Sequence, residues 1–234
     1  MKDPAFVDDS LEYVLVRTQD VQPQKEALRQ VSELIVEALG NESFSTAMFP
    51  DPRLRPRLVP WVFYRRLLLS LPASYVLLRR KPTNQLILES GDRIYGHMAA
   101  SSPDTQAMCK PSLWTMLKLG LWMWPFLFNW VSIIHFFRCM DAWDSQIKHR
   151  LSNAWVFEQV AVPSDLRGQG LGSKMLRLCL DTIVDKHTRV VLTTQRESNV
   201  RFYKRFGFQI VEDDTVHYPQ NLSFRNWVMQ AHPQ

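Results

Sequence analysis

Cysteine is scarce in this chain: three residues in 234, Cys109, Cys139 and Cys179, with no CxxC pair. An odd, widely spaced set excludes a disulfide framework and a zinc-ribbon site, so all three read as reduced, mostly buried thiols of an intracellular protein. The six histidines, His97, His135 and His149 among them, include no HxxxH pair, and no metal site is expected. Glycine is sparse as well, with eight residues. No repeat or low-complexity stretch occurs, which excludes collagen-like and disordered classes. The first ten residues carry Asp3, Asp8 and Asp9 and lack an apolar core, so no secretory leader is expected.

Charge is missing altogether from Leu119 to Phe137, which reads LGLWMWPFLFNWVSIIHFF. Nineteen residues reach the low end of a membrane-spanning helix, about 17–25. Pro125 interrupts the run, Asn129 and His135 are polar, and the tryptophans sit mid-run rather than at its ends. A broken pair of helices buried in or on the protein is expected, with a helix lying in the membrane interface as the other reading.

What is present is ordinary for a soluble globular chain: 46% apolar and 22% charged residues, enough for one sizeable core. Lys and Arg outnumber Asp and Glu by 28 to 23. The excess is local, because Asp51 to Lys81 holds eight basic residues and one acid. There Arg53, Arg55 and Arg57 are separated by Leu and Pro, and only Trp61 and Tyr64 could stack on a base. A solvated basic face is expected, and no nucleic-acid partner.

Periodicity predicts a strand over 11–17 and a helix over 24–39 with Leu28, Val31, Ile35 and Leu39 on one stripe. A second helix follows over 60–71, then strands over 74–79, 84–89 and 93–100, the last two joined at Gly91-Asp92. Residues 112–150 read as an aromatic-rich helical insertion carrying Trp114, Trp122, Trp124, Trp130 and Trp143. The second half predicts a strand over 155–162, a helix over 170–185, a β-branched strand over 189–194, a short helix over 199–205 and closing strands over 208–211 and 225–230.

One segment carries the strongest chemical signal. The strand ending at Val160, Ala161 and Val162 runs into Arg167-Gly168-Gln169-Gly170-Leu171-Gly172-Ser173-Lys174, and a helix begins at once. Glycines at alternate positions let the backbone turn sharply and keep side chains away from the amides. The helix start adds unpaired N–H groups and the positive end of its dipole, a cradle suited to pyrophosphate. A Walker loop needs Gly-Lys-Ser/Thr, whereas Gly172-Ser173-Lys174 stands here. A dinucleotide fingerprint needs GxGxxG, and the spacing is GxGxG.

Arg167, Gly170 and Gly172 meet the pattern Arg/Gln-x-x-Gly-x-Gly/Ala, which resembles the acetyl-CoA loop of the GNAT (GCN5-related N-acetyltransferase) superfamily. The run from Asn199 through Phe202, Tyr203 and Gly207 to Phe208 resembles the N-x-x-F-Y-x-x-x-G-F segment of the same family. The resemblance is specific over about 155–211. It implies an α+β fold, a mixed, mostly antiparallel sheet flanked by helices, spanning 1–234 as one domain with the insertion at about 107–150. It also implies acetyl-CoA as co-substrate. Backbone groups of Val160, Ala161 and Val162 would then meet the pantetheine arm. Amides of Arg167, Gly168, Gln169, Gly170, Leu171, Gly172 and Ser173 would hold the pyrophosphate. Asn199 would lie near the arm, and Tyr203 near the thioester sulfur. A phenol of pKa about 10 suits a departing thiolate of similar basicity.

Glu158 is the candidate general base or water-positioner, with a structural ion pair as its other reading and His149 as a rival. Strict alternation along the strand puts Val156, Glu158, Val160 and Val162 on one face, and Phe157, Gln159 and Ala161 on the other. The expected activity is direct acetyl transfer to a primary amine of a small-molecule acceptor, in the cytoplasm and without a metal. The tryptophan-rich insertion is a candidate wall for that acceptor. Two alternatives stand beside this: a non-catalytic acyl-CoA-binding module, and a membrane-associated protein docking through 119–137.

Overall fold

The computed structural model describes residues 13–79, 87–89, 91–108, 114, 117, 120–123, 130–151, 153–184, 188–218 and 221–232. Its elements run β1 (Tyr13–Arg17), α1 (Gln24–Leu39), α2 (Ser43–Met48), α3 (Arg55–Leu69), β2 (Ser74–Arg79), β3 (Gly96–Ser101), α4 (Pro103–Met108) and α5 (Trp130–Leu151). The second half adds β4 (Trp155–Ala161), α6 (Leu171–Thr182), β5 (Val190–Thr194), α7 (Glu197–Lys204), β6 (Gln209–Tyr218) and β7 (Leu222–Ala231). The strands form one sheet in the order β1-β2-β3-β4-β5-β7-β6. Every neighbouring pair is antiparallel except β4 and β5.

Alternation along the strands feeds two apolar layers. On one face Val16, Val76, Leu78 and Ala161 pack with Val31 and Ile35 of α1, Leu58 and Phe63 of α3, and Cys139 of α5. On the other, Leu15, Leu77, Met98 and Phe157 pack against Leu171, Met175, Leu176 and Cys179 of α6 and Val200 and Tyr203 of α7. Helices thus cover both faces, the α+β arrangement expected. Cys139 and Cys179 are free and buried, as expected of two of the three thiols, while Cys109 lies outside the described residues.

Several elements differ from the expectations. Helix α3 starts at Arg55, not residue 60. Pro56 falls in its first turn, where a missing N–H is harmless, and Pro60 forfeits one bond inside the helix without ending it. Helix α5 runs unbroken for 22 residues, and the expected break at Pro125 lies outside the described residues. The strand expected over 84–89 lies mostly outside them too. Strands β6 and β7 are ten residues each, longer than expected. β6 continues past the expected end at residue 211 through Glu212, Asp213 and Asp214, acids on an edge strand, where charge discourages pairing with another chain.

Two features of β4 shape what lies around it. Its pairing with β5 covers only Trp155↔Val190, Val156↔Val191 and Phe157↔Leu192, although both strands continue. Beyond Phe157, β4 stays with β3 and β5 stays with β7, so a cleft opens between the two halves of the sheet. The second feature is a bulge. His97 pairs with Ala161 and Ala99 with Glu158, two steps on β3 against three on β4. Gln159 takes the extra step with φ 53, a left-handed conformation that costs a non-glycine residue about 1–2 kcal/mol.

Candidate functional site

The bulge overturns the strict alternation expected along β4. Glu158 faces α3, where its Oε2 accepts a hydrogen bond from Arg66 Nη2 at 2.8 Å. Val160 and Val162 pack instead with Phe157 on the α6 face, and Ala161 on the α1–α3 face. One inserted residue moves every later side chain to the other face. Glu158 and Val160 are therefore on opposite faces, not on one.

The turn after β4 is braced before the glycines begin. Arg93 holds Asp165 through two bonds of 2.8 and 2.9 Å, and this guanidinium keeps the Asp165 carboxyl below its ordinary value. Glu37 of α1 accepts the Ser164 N–H at 2.9 Å, which lowers its own pKa. Arg167 is exposed and its Nε donates to the Val162 carbonyl at 3.3 Å. Gln169 Nε2 donates to the Asp165 carbonyl at 3.3 Å.

Gly168 and Gly170 both take φ +80, and a Cβ on either would meet nothing within 4 Å. The amides of Gly168, Gln169, Gly170, Leu171, Gly172 and Ser173 have no acceptor among the described residues; the next amide, Lys174, bonds the Gly170 carbonyl at 2.9 Å. Six successive free donors at the positive end of a 12-residue helix, with open space above them, suit a polyanion of pyrophosphate size. Leu171 is buried and anchors the helix, and the Gly172 α-carbon faces Phe202 and Val162.

Across the cleft, Asn199 Nδ2 donates to Thr194 Oγ1 at 3.1 Å, which ties α7 to the end of β5. Tyr203 is 7% exposed, its ring 5.1 Å from Phe202 and 5.7 Å from Phe208. Desolvation pushes its phenol well above the ordinary 10, so it keeps its proton throughout the physiological range. Within the insertion, Gly120 lies against α3: an atom added there would be 3.6 Å from both Arg65 and Trp61. Trp114, Trp122 and Trp130 are largely exposed, whereas Trp143 packs on Phe44 and Phe224. Trp124 lies outside the described residues. No helix among the described residues is long and apolar enough to cross a membrane.

Sequence reasoning missed Arg66, Arg93 and Glu37, which sit far from the motif in the chain and carry no pattern of their own. It also passed over His97 as a lone histidine. Only its position opposite the bulge, which no local pattern encodes, distinguishes it.

Comparison with known proteins agrees with this geometry. Residues 130–210 match the profile of the Acetyltransferase (GNAT) domain. No curated protein matches the chain by sequence. Among solved structures, a histone acetyltransferase HPA2 and related acetyltransferase from Corynebacterium glutamicum is similar over 96% of this chain and 98% of its own, with a TM-score of 0.57 and 14% identity. PH1933 from Pyrococcus horikoshii is similar over 95% and 99%, with a TM-score of 0.52 and 13% identity. At such identities these two carry the fold alone. The matched stretch spans β4, the glycine-rich turn and the Asn199–Phe208 segment, so residues 130–210 of this chain are similar to a GNAT acetyltransferase domain.

Proposed function

We propose that this acetyltransferase moves the acetyl group of acetyl-CoA onto a primary amine of a small-molecule acceptor, by direct transfer in a ternary complex. The observation that carries the reading is a conjunction: the cleft between β4 and β5 opens where β4 leads into six acceptor-free amides. Those amides, Gly168 to Ser173, would hold the pyrophosphate, with Arg167 adding charge. Backbone groups of Val160, Ala161 and Val162 would line the pantetheine arm, and Asn199 would flank it. Acetyl-CoA supplies the acyl group already activated as a thioester. The Val160 N–H would stabilise negative charge developing on the thioester oxygen. Tyr203 would hand its hydroxyl proton to the leaving thiolate. Burial destabilises phenolate and thiolate alike, so their match in basicity survives the raised phenol pKa. Glu158, oriented by Arg66, would take the amine proton directly or through a water. Gly120 of the tryptophan-rich insertion lies against Trp61 of α3, the helix that supplies Arg66, and this supports an apolar or aromatic amine as acceptor.

A second reading, contact with a lipid surface, is favoured by the exposure of Trp130, Val131, Ile134 and Phe137 along α5, and it is compatible with catalysis. Co-flotation with liposomes tests it. The primary experiment is a thermal-shift titration with acetyl-CoA, CoA and ATP on wild type and Gly170→Trp, followed by release of free CoA thiol over an amine library. Ligand at about 100 Kd adds about 2.7 kcal/mol of stability. A shift specific to CoA compounds and lost in folded Gly170→Trp is expected. Binding without turnover on any amine would reduce the protein to an acyl-CoA-binding module.

A further inference from the structure

A chain of buried hydrogen bonds ends on the bulge. Thr18, Ser74 and His97 are completely buried. Thr18 Oγ1 lies 2.6 Å from Ser74 Oγ, Ser74 Oγ lies 3.0 Å from His97 Nε2, and His97 Nδ1 lies 3.3 Å from the Gln159 carbonyl oxygen. Its direction follows from the last member. A carbonyl only accepts, so Nδ1 must carry the hydrogen. Burial pushes the His97 pKa down to about 4 and leaves the ring neutral, so Nε2 has a lone pair and accepts from the Ser74 hydroxyl. The Ser74 oxygen in turn accepts from Thr18. Every hydrogen points toward Gln159.

Gln159 occupies the left-handed step of the bulge, which persists only when its surroundings hold it. In a planar trans peptide the C=O and the following N–H point in opposite directions. The Gln159 carbonyl is drawn toward His97 on β3, so the Val160 N–H is turned to the opposite side, where β5 has already stopped pairing. We propose that His97 is a positioning residue: through the Gln159 carbonyl it aims the Val160 amide into the cleft as the oxyanion donor. The assignment rests on the acetyl-transfer reading above.

The test pairs His97→Leu, which fills the space without a donor, with His97→Asn, whose amide can restore a donor near the Nδ1 position. Each variant is first checked for native circular dichroism and for CoA binding by thermal shift. His97→Leu is expected to lose about 10²–10³ in kcat, the effect of removing an oxyanion donor, with KM for acetyl-CoA little changed. His97→Asn is expected to recover a large part of kcat. A folded His97→Leu with near-wild-type kcat overturns the proposal. So does an equal loss of kcat and CoA affinity in both variants, since that is what a packing role would give. Long-range proton–nitrogen spectra of the wild-type ring should find the hydrogen on Nδ1; an Nε2–H tautomer overturns the relay whatever the kinetics. Wild type that turns over no amine, with the Nδ1–H tautomer in place, refutes the acetyl-transfer reading, and the positioning assignment falls with it.

Discussion

Replacing Gly170 by alanine separates the backbone demand of the cradle from its role in binding. Gly170 sits at φ +80, and an added Cβ would meet no atom within 4 Å, so the folded protein suffers backbone strain and no clash. Left-handed backbone costs an L-residue about 1–2 kcal/mol. For a chain of this size 1 kcal/mol lowers the melting midpoint by about 2–4 °C, so a fall of roughly 2–8 °C is expected. The open space is also where an anion bonded to these amides must lie, about 2.9 Å from each nitrogen. A methyl group there should weaken CoA by about tenfold or more, about 1.4 kcal/mol. Gly91→Ala is the control, because Gly91 has φ +94, equally open surroundings and no part in the turn after β4. Urea unfolding reads the strain, and calorimetric titration with CoA reads the affinity. Equal loss of CoA affinity in both variants, or wild-type affinity in a destabilised Gly170→Ala, would refute the cradle.

Tyr203→Phe keeps the ring packed between Phe202 and Phe208, so its melting midpoint should stay near wild type while kcat falls by about 10² or more; an unchanged kcat removes Tyr203 as the proton donor. Trp122→Ala should raise the acceptor KM far more than the acetyl-CoA KM, because its exposed indole belongs to the insertion proposed as the acceptor wall; equal effects would end that assignment. Acid should weaken the fold through His97. Its pKa is depressed in the folded state, from an ordinary 6.5 to about 4, so the unfolded chain binds more protons between those values. Stability is then fully present above about pH 6.5 and is lost as pH falls toward 4, by about 3 kcal/mol in all. Urea midpoints at pH 7 and pH 5 should diverge for wild type and less so for His97→Leu; parallel behaviour would contradict the buried neutral ring.

The fold and the glycine-rich turn were legible for the same reason: both rest on local chemistry. Val31 and Ile35 on α1, and Leu171, Met175 and Cys179 on α6, recur at helical spacing, so the faces they bury follow from the chain itself. Gly168 and Gly170 announce a backbone that only glycine adopts cheaply, and both have positive φ. Elements whose signals conflict were harder to read. Pro60 suggested a helix start although it lies inside α3, and the strand expected to end at residue 211 continues to Tyr218 through acids whose edge position makes charge an advantage.

The sequence by itself determined where glycine, apolar stripe and turn must fall, because each depends on residues within a few positions of one another. Only the tertiary structure decided which side of β4 each residue faces. The bulge at Gln159 arises from pairing with β3, about sixty residues away in the chain, and it separates Glu158 from Val160. The same holds for the partners Arg66 and His97 and for the point where β5 leaves β4. Such contacts join distant segments, and their energies come from burial and register that no short stretch of sequence encodes.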